Sequence, residues 1–217
     1  MAQHYFDSDP GAASRPQTVD LVLPDLHLRL GTDRGVFSPD RIDLGTRVLL
    51  EAVPAPPAEG RLLDIGCGYG PISLTMAARA PRAEVLGVDV NARAVRLARA
   101  NARANARANG VGNARFRQVE PDGTPAAEAP GAEVPADDAL AGPFAAIWSN
   151  PPIRVGKPVL HALLRTWLGR LAPGGDAHLV VQKNLGADSL QRWLDAAGHP
   201  TERVASRAGF RVLRTSR

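Results

Sequence analysis

The 217-residue sequence predicts an α/β fold, a mostly parallel sheet with helices on both faces. Three observations predict it. From Arg61 onward short apolar runs alternate with helical stretches, the order that parallel strands joined by crossover helices require. One of those runs, "LLDI", passes directly into the glycine loop "GCGYG" and a helix that Pro71 can open. The chain closes on "TERVASRAGFRVLRTS", two strand-like runs about Gly209, which gives the sheet an antiparallel end.

Ahead of this core, "TVDLVLP" and "LHLRLGT" alternate apolar and polar residues and read as two short strands joined through Pro24 and Asp25. "GVFSPDRIDLGTRVLLEAV" reads as a loop entering a helix. Ser38 is its expected N-cap, Pro39 its first helical residue, and Leu44, Val48, Leu49 and Ala52 its shared apolar face. "PAPPAEG", Pro54 to Gly60, is a linker that divides an N-terminal appendage, residues 1–53, from a core, residues 54–217. The seven core strands are "RLLDI", "AEVLGVDV", "ARFRQV", "FAAIWS", "DAHLVVQ" and the closing pair.

Helices follow Gly70 and Asn91, and a third lies around Val159 to Leu171. In the second of these, "ARANARANARANG" places each Arg and each Asn on its own stripe and reads as an extended, solvent-facing helix ending at Gly110. Residues 120–143, "EPDGTPAAEAPGAEVPADDALAGP", are rich in Pro, Ala, Gly and acids without periodicity, and read as a mobile acidic insertion. Trp148 and Trp167 supply bulk for a central strand and its covering helix.

Composition narrows the function classes. Hydrophobic residues make up 44% of the chain, enough for one substantial core, yet no apolar run approaches the ~18 residues a membrane span needs. The N-terminus lacks a signal-peptide pattern, so a cytoplasmic protein without membrane partners is expected. The lone cysteine, Cys67, excludes an internal disulfide and argues against a metal site, and none is expected. Net charge is +4, but Glu120 to Asp138 holds six acids and no base, so the remainder carries +10. That surplus, almost all arginine, suits a polyanion such as RNA as well as a solvated surface.

The loop spacing Gly66, Gly68, Gly70 lacks the third glycine of a dinucleotide fingerprint, because Pro71 stands there. Asp64, just before the loop, would repel a pyrophosphate and accept an ammonium group. A ligand with an amino-acid portion and an adenosine, S-adenosylmethionine, fits both facts. The next strand ends in "GVDVN", where Asp89, 25 residues beyond Asp64, can accept ribose hydroxyls while Asn91 caps the following helix. The third strand is expected to end at Val119 and Glu120, with Glu120 near the adenine edge. In "WSNPPIRVGK" the prolines end a strand and stiffen the turn beyond it.

"DIGCGYG", "VDVN" and "SNPPI", in this order and spacing, resemble the class I S-adenosylmethionine-dependent methyltransferases, whose core is Rossmann-like. Within them the chain is similar to the small-domain (MTS) family that includes bacterial small-subunit rRNA guanine-N2 methyltransferases. "HYF" at His4, "GVFSPDRIDLGTRVLLEAV", "NPPIRVGK" and "VVQKNLGA" carry the likeness across nearly the whole chain. The resemblance implies an appendage packed on the cofactor side, with Phe37 and Ser38 against the cofactor. The expected cofactor residues are then Phe37, Ser38, Asp64, Ile65, Gly66, Cys67, Gly68, Gly70, Asp89, Val90, Glu120 and Asn150.

The implied reaction is methyl transfer to the exocyclic N2 amine of a guanine in 16S rRNA, with S-adenosylhomocysteine as product. Its catalytic residues are Asn150, Pro151, Pro152 and Ile153: the Asn150 side-chain oxygen and Pro151 carbonyl accept the amine N–H groups and aim its lone pair. Ile153 stands where many amine methyltransferases carry Tyr or Phe, so Phe37 or Tyr69 is a candidate ring to stack on the base. Arg154, Lys157 and Lys183, with His161 and Arg165 nearby, are candidates to meet phosphates of rRNA or of the small ribosomal subunit. A monomer is favoured. Three rival readings stand beside this one: a protein glutamine N5-methyltransferase, a small-molecule N-methyltransferase, and a catalytically silent RNA-binding or assembly factor.

Overall fold

A computed structural model describes residues 11–128 and 135–217 of the chain. His4 and Glu133 lie outside the described residues. The chain begins with an antiparallel hairpin, β1 (Gln17–Leu23) and β2 (Leu26–Thr32), then helix α1 (Leu44–Ala52). The core follows as β3 (Arg61–Ile65), α2 (Pro71–Arg79), β4 (Glu84–Asp89), α3 (Ala92–Asn109), β5 (Ala114–Gln118), β6 (Phe144–Ser149), α4 (Lys157–Leu168), β7 (Leu171–Gln182), α5 (Ala187–Ala196), β8 (Thr201–Arg207) and β9 (Phe210–Ser216).

The seven core strands form one sheet in the order β5-β4-β3-β6-β7-β9-β8. Pairings from β5 through β7 are parallel, and β9 is antiparallel to both β7 and β8. The expected α/β class and antiparallel end are what the chain adopts. Strand β3 sits at the centre, and the chain leaves it toward β4 on one side and reaches β6 on the other. Such a reversal opens a crevice at the strands' carboxyl ends. Central strands are buried on both faces, which is why "LLDI" and "AAIWS" are nearly unbroken apolar runs. Trp148 and Trp167 are fully buried, as bulk for that core.

The apolar side chains of β1, β2 and α1 join one cluster with those of α2, α3, β4 and β5. Helix α1 starts later than expected. Its N-cap is Asp43, whose side chain accepts from Thr46 N at 3.0 Å, and Ser38 instead takes a left-handed turn with φ 50° and donates from its hydroxyl to Arg41 O. The Ser-Pro pair is a good cap signal, but the backbone needs several further residues to round the cavity before it can coil. Val48 and Leu49 are buried as expected, whereas Leu44 is half exposed and Ala52 exposed.

Two polar segments pack differently from the expectation. Helix α3 ends at Gly110, in the left-handed conformation, but its asparagine stripe does not face solvent. Asn101 and Asn105 are buried against the edge of β2 that β1 leaves unpaired. Asn101 Oδ1 accepts from Gly31 N at 2.7 Å, and its Nδ2 donates to Gly31 O at 2.9 Å and Tyr69 O at 2.8 Å. Asn105 Nδ2 donates to Arg29 O at 3.2 Å and Asn101 O at 2.9 Å. Side-chain amides here do the work of a third strand's peptide groups, satisfying an edge that burial would otherwise leave unpaired.

The acidic insertion is docked where it is described. Glu128 accepts from both terminal nitrogens of Arg99 (2.6 and 3.0 Å), Asp137 pairs with Arg117 at 2.9 Å, and Ala126, Ala139 and Leu140 are buried. Glu128 and Asp137 are counter-ions for arginines of α3 and β5, a role that composition conceals. Strand β5 stops at Gln118, one residue short of the expected end, and β7 begins at Leu171, five residues before Asp176.

Replacing Asn101 by Ala strands the Gly31 N–H and two carbonyls in a buried seam. The expected loss is about 2 to 4 kcal/mol in urea unfolding, against less than about 1 kcal/mol for Asn109→Ala, whose exposed side chain bonds only Asn105 Oδ1. Equal losses would refute the edge-pairing role of Asn101.

Candidate active site

A cavity of about 310 Å³ opens at the carboxyl ends of β3, β4 and β6, the place that the reversal in strand order prepares. Its floor is the loop after β3. Ile65, Gly66, Cys67 and Gly68 line it, and Gly66 and Gly68 have φ of 72° and 56° with open space where a side chain would project. The loop amides turn away from the cavity. Gly66 N and Cys67 N donate to Val88 O, Gly70 N to Cys67 O, and Gly68 N to Asp89 Oδ2 at 2.8 Å. A phosphate-binding loop presents such N–H groups to its ligand; here they are spent on the fold. With the amides of Gly66, Cys67, Gly68 and Gly70 engaged and an acid beside it, the cradle fits a ligand with a cationic part.

Asp89 lines the cavity at the end of β4 and fastens the two walls, accepting also from Asn91 N at 2.9 Å. Burial raises its carboxyl above the usual range, against the lowering by those backbone bonds. Val90 and Asn91 line the same wall, and Asn91 caps α3 as expected, accepting from Ala94 N. Asp64 is fully buried and does not line the cavity. Its Oδ2 accepts from Ser73 N (2.9 Å) and Ser73 Oγ (2.5 Å), giving the first turn of α2 the side-chain cap that Gly70 cannot provide. Oδ1 has no partner among the described residues, and burial pushes the carboxyl up to about 7.

Phe37 and Ser38 line the mouth, and Tyr69 holds their loop, its hydroxyl donating to Ser38 O at 3.3 Å. Gly70 caps α2 outside the lining, and Glu120 is exposed and outside it too; Val119 takes the place on the wall that the sequence suggested for Glu120. With β5 ending early, Glu120 belongs to a turn, its N–H bonded to Thr124 O.

The opposite wall is built by "NPPIR": Asn150, Pro151, Pro152, Ile153 and Arg154 all line the cavity. Ser149 Oγ donates to Ile65 O at 2.7 Å, locking the end of β6 to that of β3. Asn150 Nδ2 donates to Asp43 Oδ2 at 2.8 Å and Thr46 Oγ1 at 3.1 Å. Its Oδ1 accepts from none of the described residues. The Pro151 carbonyl accepts from Ile153 N at 2.8 Å, which leaves one lone pair. Ile153 packs partly into the core, while Lys157 and Lys183 are exposed beyond the lining.

Sequence reasoning missed Asp43 and Thr46, although Asp-x-x-Thr ahead of an apolar run carries a cap signal. It also missed Phe210, Gln182 and Leu185, which reach the cavity from β9, the end of β7 and the turn after it; the last two lie within "VVQKNLGA" but carry no side-chain signal of their own.

The chain matches the methyltransferase small domain family over residues 27–214. It belongs to that family. Its fold and cradle are those of the S-adenosylmethionine-dependent methyltransferases. Over its full length and that of the relative it is 32% identical to the uncharacterized protein YbxB of Bacillus subtilis. It is 34% identical, over 91% of its length, to the ribosomal RNA small subunit methyltransferase C of Stutzerimonas stutzeri, of which it covers 53%. The T. thermophilus 16S rRNA N2 methyltransferase RsmC, solved with AdoMet and guanosine, superposes on 96% of this chain and 52% of its own, with a TM-score of 0.70 and 26% identity. The chain thus spans about half the length of these two methyltransferases. Among the described residues no helix is long and apolar enough to cross a membrane, and no three His, Cys, Asp or Glu side chains group as metal ligands.

The raised carboxyl of Asp64 has a consequence for stability. The folded state holds the proton more tightly than the unfolded chain, so Asp64 contributes most below pH 4 and loses that contribution as pH rises toward 7. Between pH 5 and pH 8 the wild type should lose on the order of 2 kcal/mol relative to Asp64→Asn. Parallel urea midpoints at the two pH values for both proteins would contradict this.

Proposed function

We propose that this protein transfers a methyl group from S-adenosylmethionine to the exocyclic N2 amine of a guanine in small-subunit ribosomal RNA. The observation that carries the reading is Asn150. Its amide nitrogen is clamped by Asp43 and Thr46, which leaves the carbonyl oxygen unengaged in a side chain that lines the cavity opposite the glycine cradle. Support comes from the kinship with small-subunit rRNA methyltransferases and with a solved 16S rRNA N2 enzyme.

When bound, the cofactor supplies a methyl group activated by a positively charged sulfur. Asp89 accepts ribose hydroxyls, with Val90, Ile65 and Phe37 as apolar walls and Ser38 at the rim. The bare floor at Gly66, Cys67 and Gly68 leaves room for the amino-acid portion, and Asp64 adds negative potential from beneath it.

A guanine amine is a weak nucleophile because its lone pair is delocalised into the ring. Asn150 Oδ1 accepts one of its N–H groups, and the remaining lone pair of the Pro151 carbonyl can accept the other. Both acceptors strengthen as the amine gains positive charge, and both are held before substrate arrives. Pro152 stiffens the loop, and Ile153 offers an apolar face to the base with Phe37 across the mouth. The alkylated amine is acidic enough to release its proton to water. Arg154 at the rim and Lys157 and Lys183 outside it are placed to meet phosphates.

Methyl transfer from labelled S-adenosylmethionine to small subunits lacking the modification, followed by nucleoside mass spectrometry, should yield N2-methylguanosine. Label in protein, or no turnover at all, would refute the reading. Asn150→Ala should slow transfer by about 10² while cofactor affinity changes little. Asp43→Asn, which weakens the clamp while an asparagine can still cap α1, should slow it about tenfold with the same pattern. Asp89→Ala should instead weaken cofactor binding by roughly tenfold or more in calorimetric titration, and an unchanged affinity would remove it from the site.

A further inference from the structure

Helix α3 carries five arginines and no acid in 18 residues, and the fold divides them into two groups. Arg93 donates to Arg34 O, and Arg99 is held by Glu128 and by Phe116 O. Arg96, Arg103 and Arg107 are exposed and have no hydrogen-bond or ion-pair partner among the described residues. At about 100° per residue these three fall within about 40° of one another, on the side of the helix opposite Asn101 and Asn105. The asparagines are bonded to β2, so the rotation of the helix is set and the arginine row cannot turn inward.

The row has a beginning and a direction. Asn91 and Ala94 line the cavity at the amino end of α3, and Arg96 follows two residues later. Arg34, also exposed, precedes the Gly35–Phe37 turn at the mouth. From Arg96 to Arg107 the row runs about 16 Å along the helix axis, with the exposed Ala100 and Ala104 between the charges. Of the three only Arg107, in the last turn, gains from the helix macrodipole, so local stability does not call for the row as a whole.

We infer that Arg96, Arg103 and Arg107 form a phosphate-binding track on which a single RNA strand lies as it leaves the active-site mouth. The partner is an RNA backbone bound by charge and not by base sequence, and the inference rests on the reading of this protein as an RNA methyltransferase. The track supplies on the flank of the catalytic domain what Arg154, Lys157 and Lys183 supply on the opposite rim.

The test compares three full-length proteins: wild type, the triple variant Arg96→Gln, Arg103→Gln, Arg107→Gln, and a control triple variant Arg82→Gln, Arg203→Gln, Arg207→Gln with the same loss of charge elsewhere. Glutamine keeps helix propensity, and thermal melts confirm folding. Binding to in vitro transcribed 16S rRNA is measured across salt concentrations, and cofactor affinity by calorimetry. The track variant should bind RNA at least tenfold more weakly near 0.1 M salt, with the slope of log K against log salt shallower by about 2 to 3. Its cofactor affinity should match the wild type, and the control should stay near wild type in both. A track variant with an unchanged slope, or a control equally impaired, would overturn the track while leaving the RNA reading intact. A wild type that ignores RNA, or prefers phosphatidylglycerol vesicles, would overturn both.

Discussion

The candidate site depends on one shared acceptor. Asp43 Oδ2 receives the N–H of Thr46, which starts α1, and the amide nitrogen of Asn150, 107 residues later in the chain. A carboxylate can do this because it presents several lone pairs to donors converging from different elements. The consequence is directional. With its nitrogen occupied, the Asn150 side chain is held in one orientation, and its oxygen is left without a partner among the described residues. The N-terminal segment is therefore a structural component of the candidate site, and its apolar side chains share the core of the sheet.

The remaining walls follow a consistent electrostatic logic. The N–H groups of Gly66, Cys67, Gly68 and Gly70 are consumed by Val88, Cys67 and Asp89, so the loop presents no run of free amides to an anion. Two acids, Asp64 beneath it and Asp89 beside it, are buried enough that their carboxyls rise above the ordinary range. Raised acids close together favour a neighbouring positive charge, which would relieve the desolvation that burial imposes. A cradle of this kind selects against a pyrophosphate and for a sulfonium or ammonium group, and the choice is made by backbone orientation as much as by side-chain charge.

Charge elsewhere is sorted by the same principle of pairing. Arg99 and Arg117 are largely buried and take Glu128 and Asp137 from the acidic segment as partners. The insertion that composition marks as a separate tract is thus electrostatically joined to the core, while Arg79 and Arg211, also largely buried, take Asp25 and Asp188 as partners. Helix α3 shows the sorting within one element: asparagines complete the edge of β2, one arginine is neutralised, and three remain in a row toward solvent.

The succession of strands and helices, the glycine loop, the acid at the end of β4 and the Asn-Pro-Pro turn were legible in the sequence because each is local. A buried parallel strand must be apolar throughout, a tight loop needs glycine, and two prolines must end a strand. What stayed illegible was every pairing across distance. Ser38 and Pro39 carry a better cap signal than Asp43, yet the path around the cavity moved the helix start to Asp43. The ARAN repeat gives two stripes of equal clarity, and only the free edge of β2 decides that asparagine turns inward. Phe210 and Gln182 join the site because β9 returns beside β7. Sequence alone determined which residue types were available for chemistry. Tertiary structure decided which atoms of those residues were already engaged, since hydrogen bonds between remote segments form only once the fold has brought their donors and acceptors within about 3 Å.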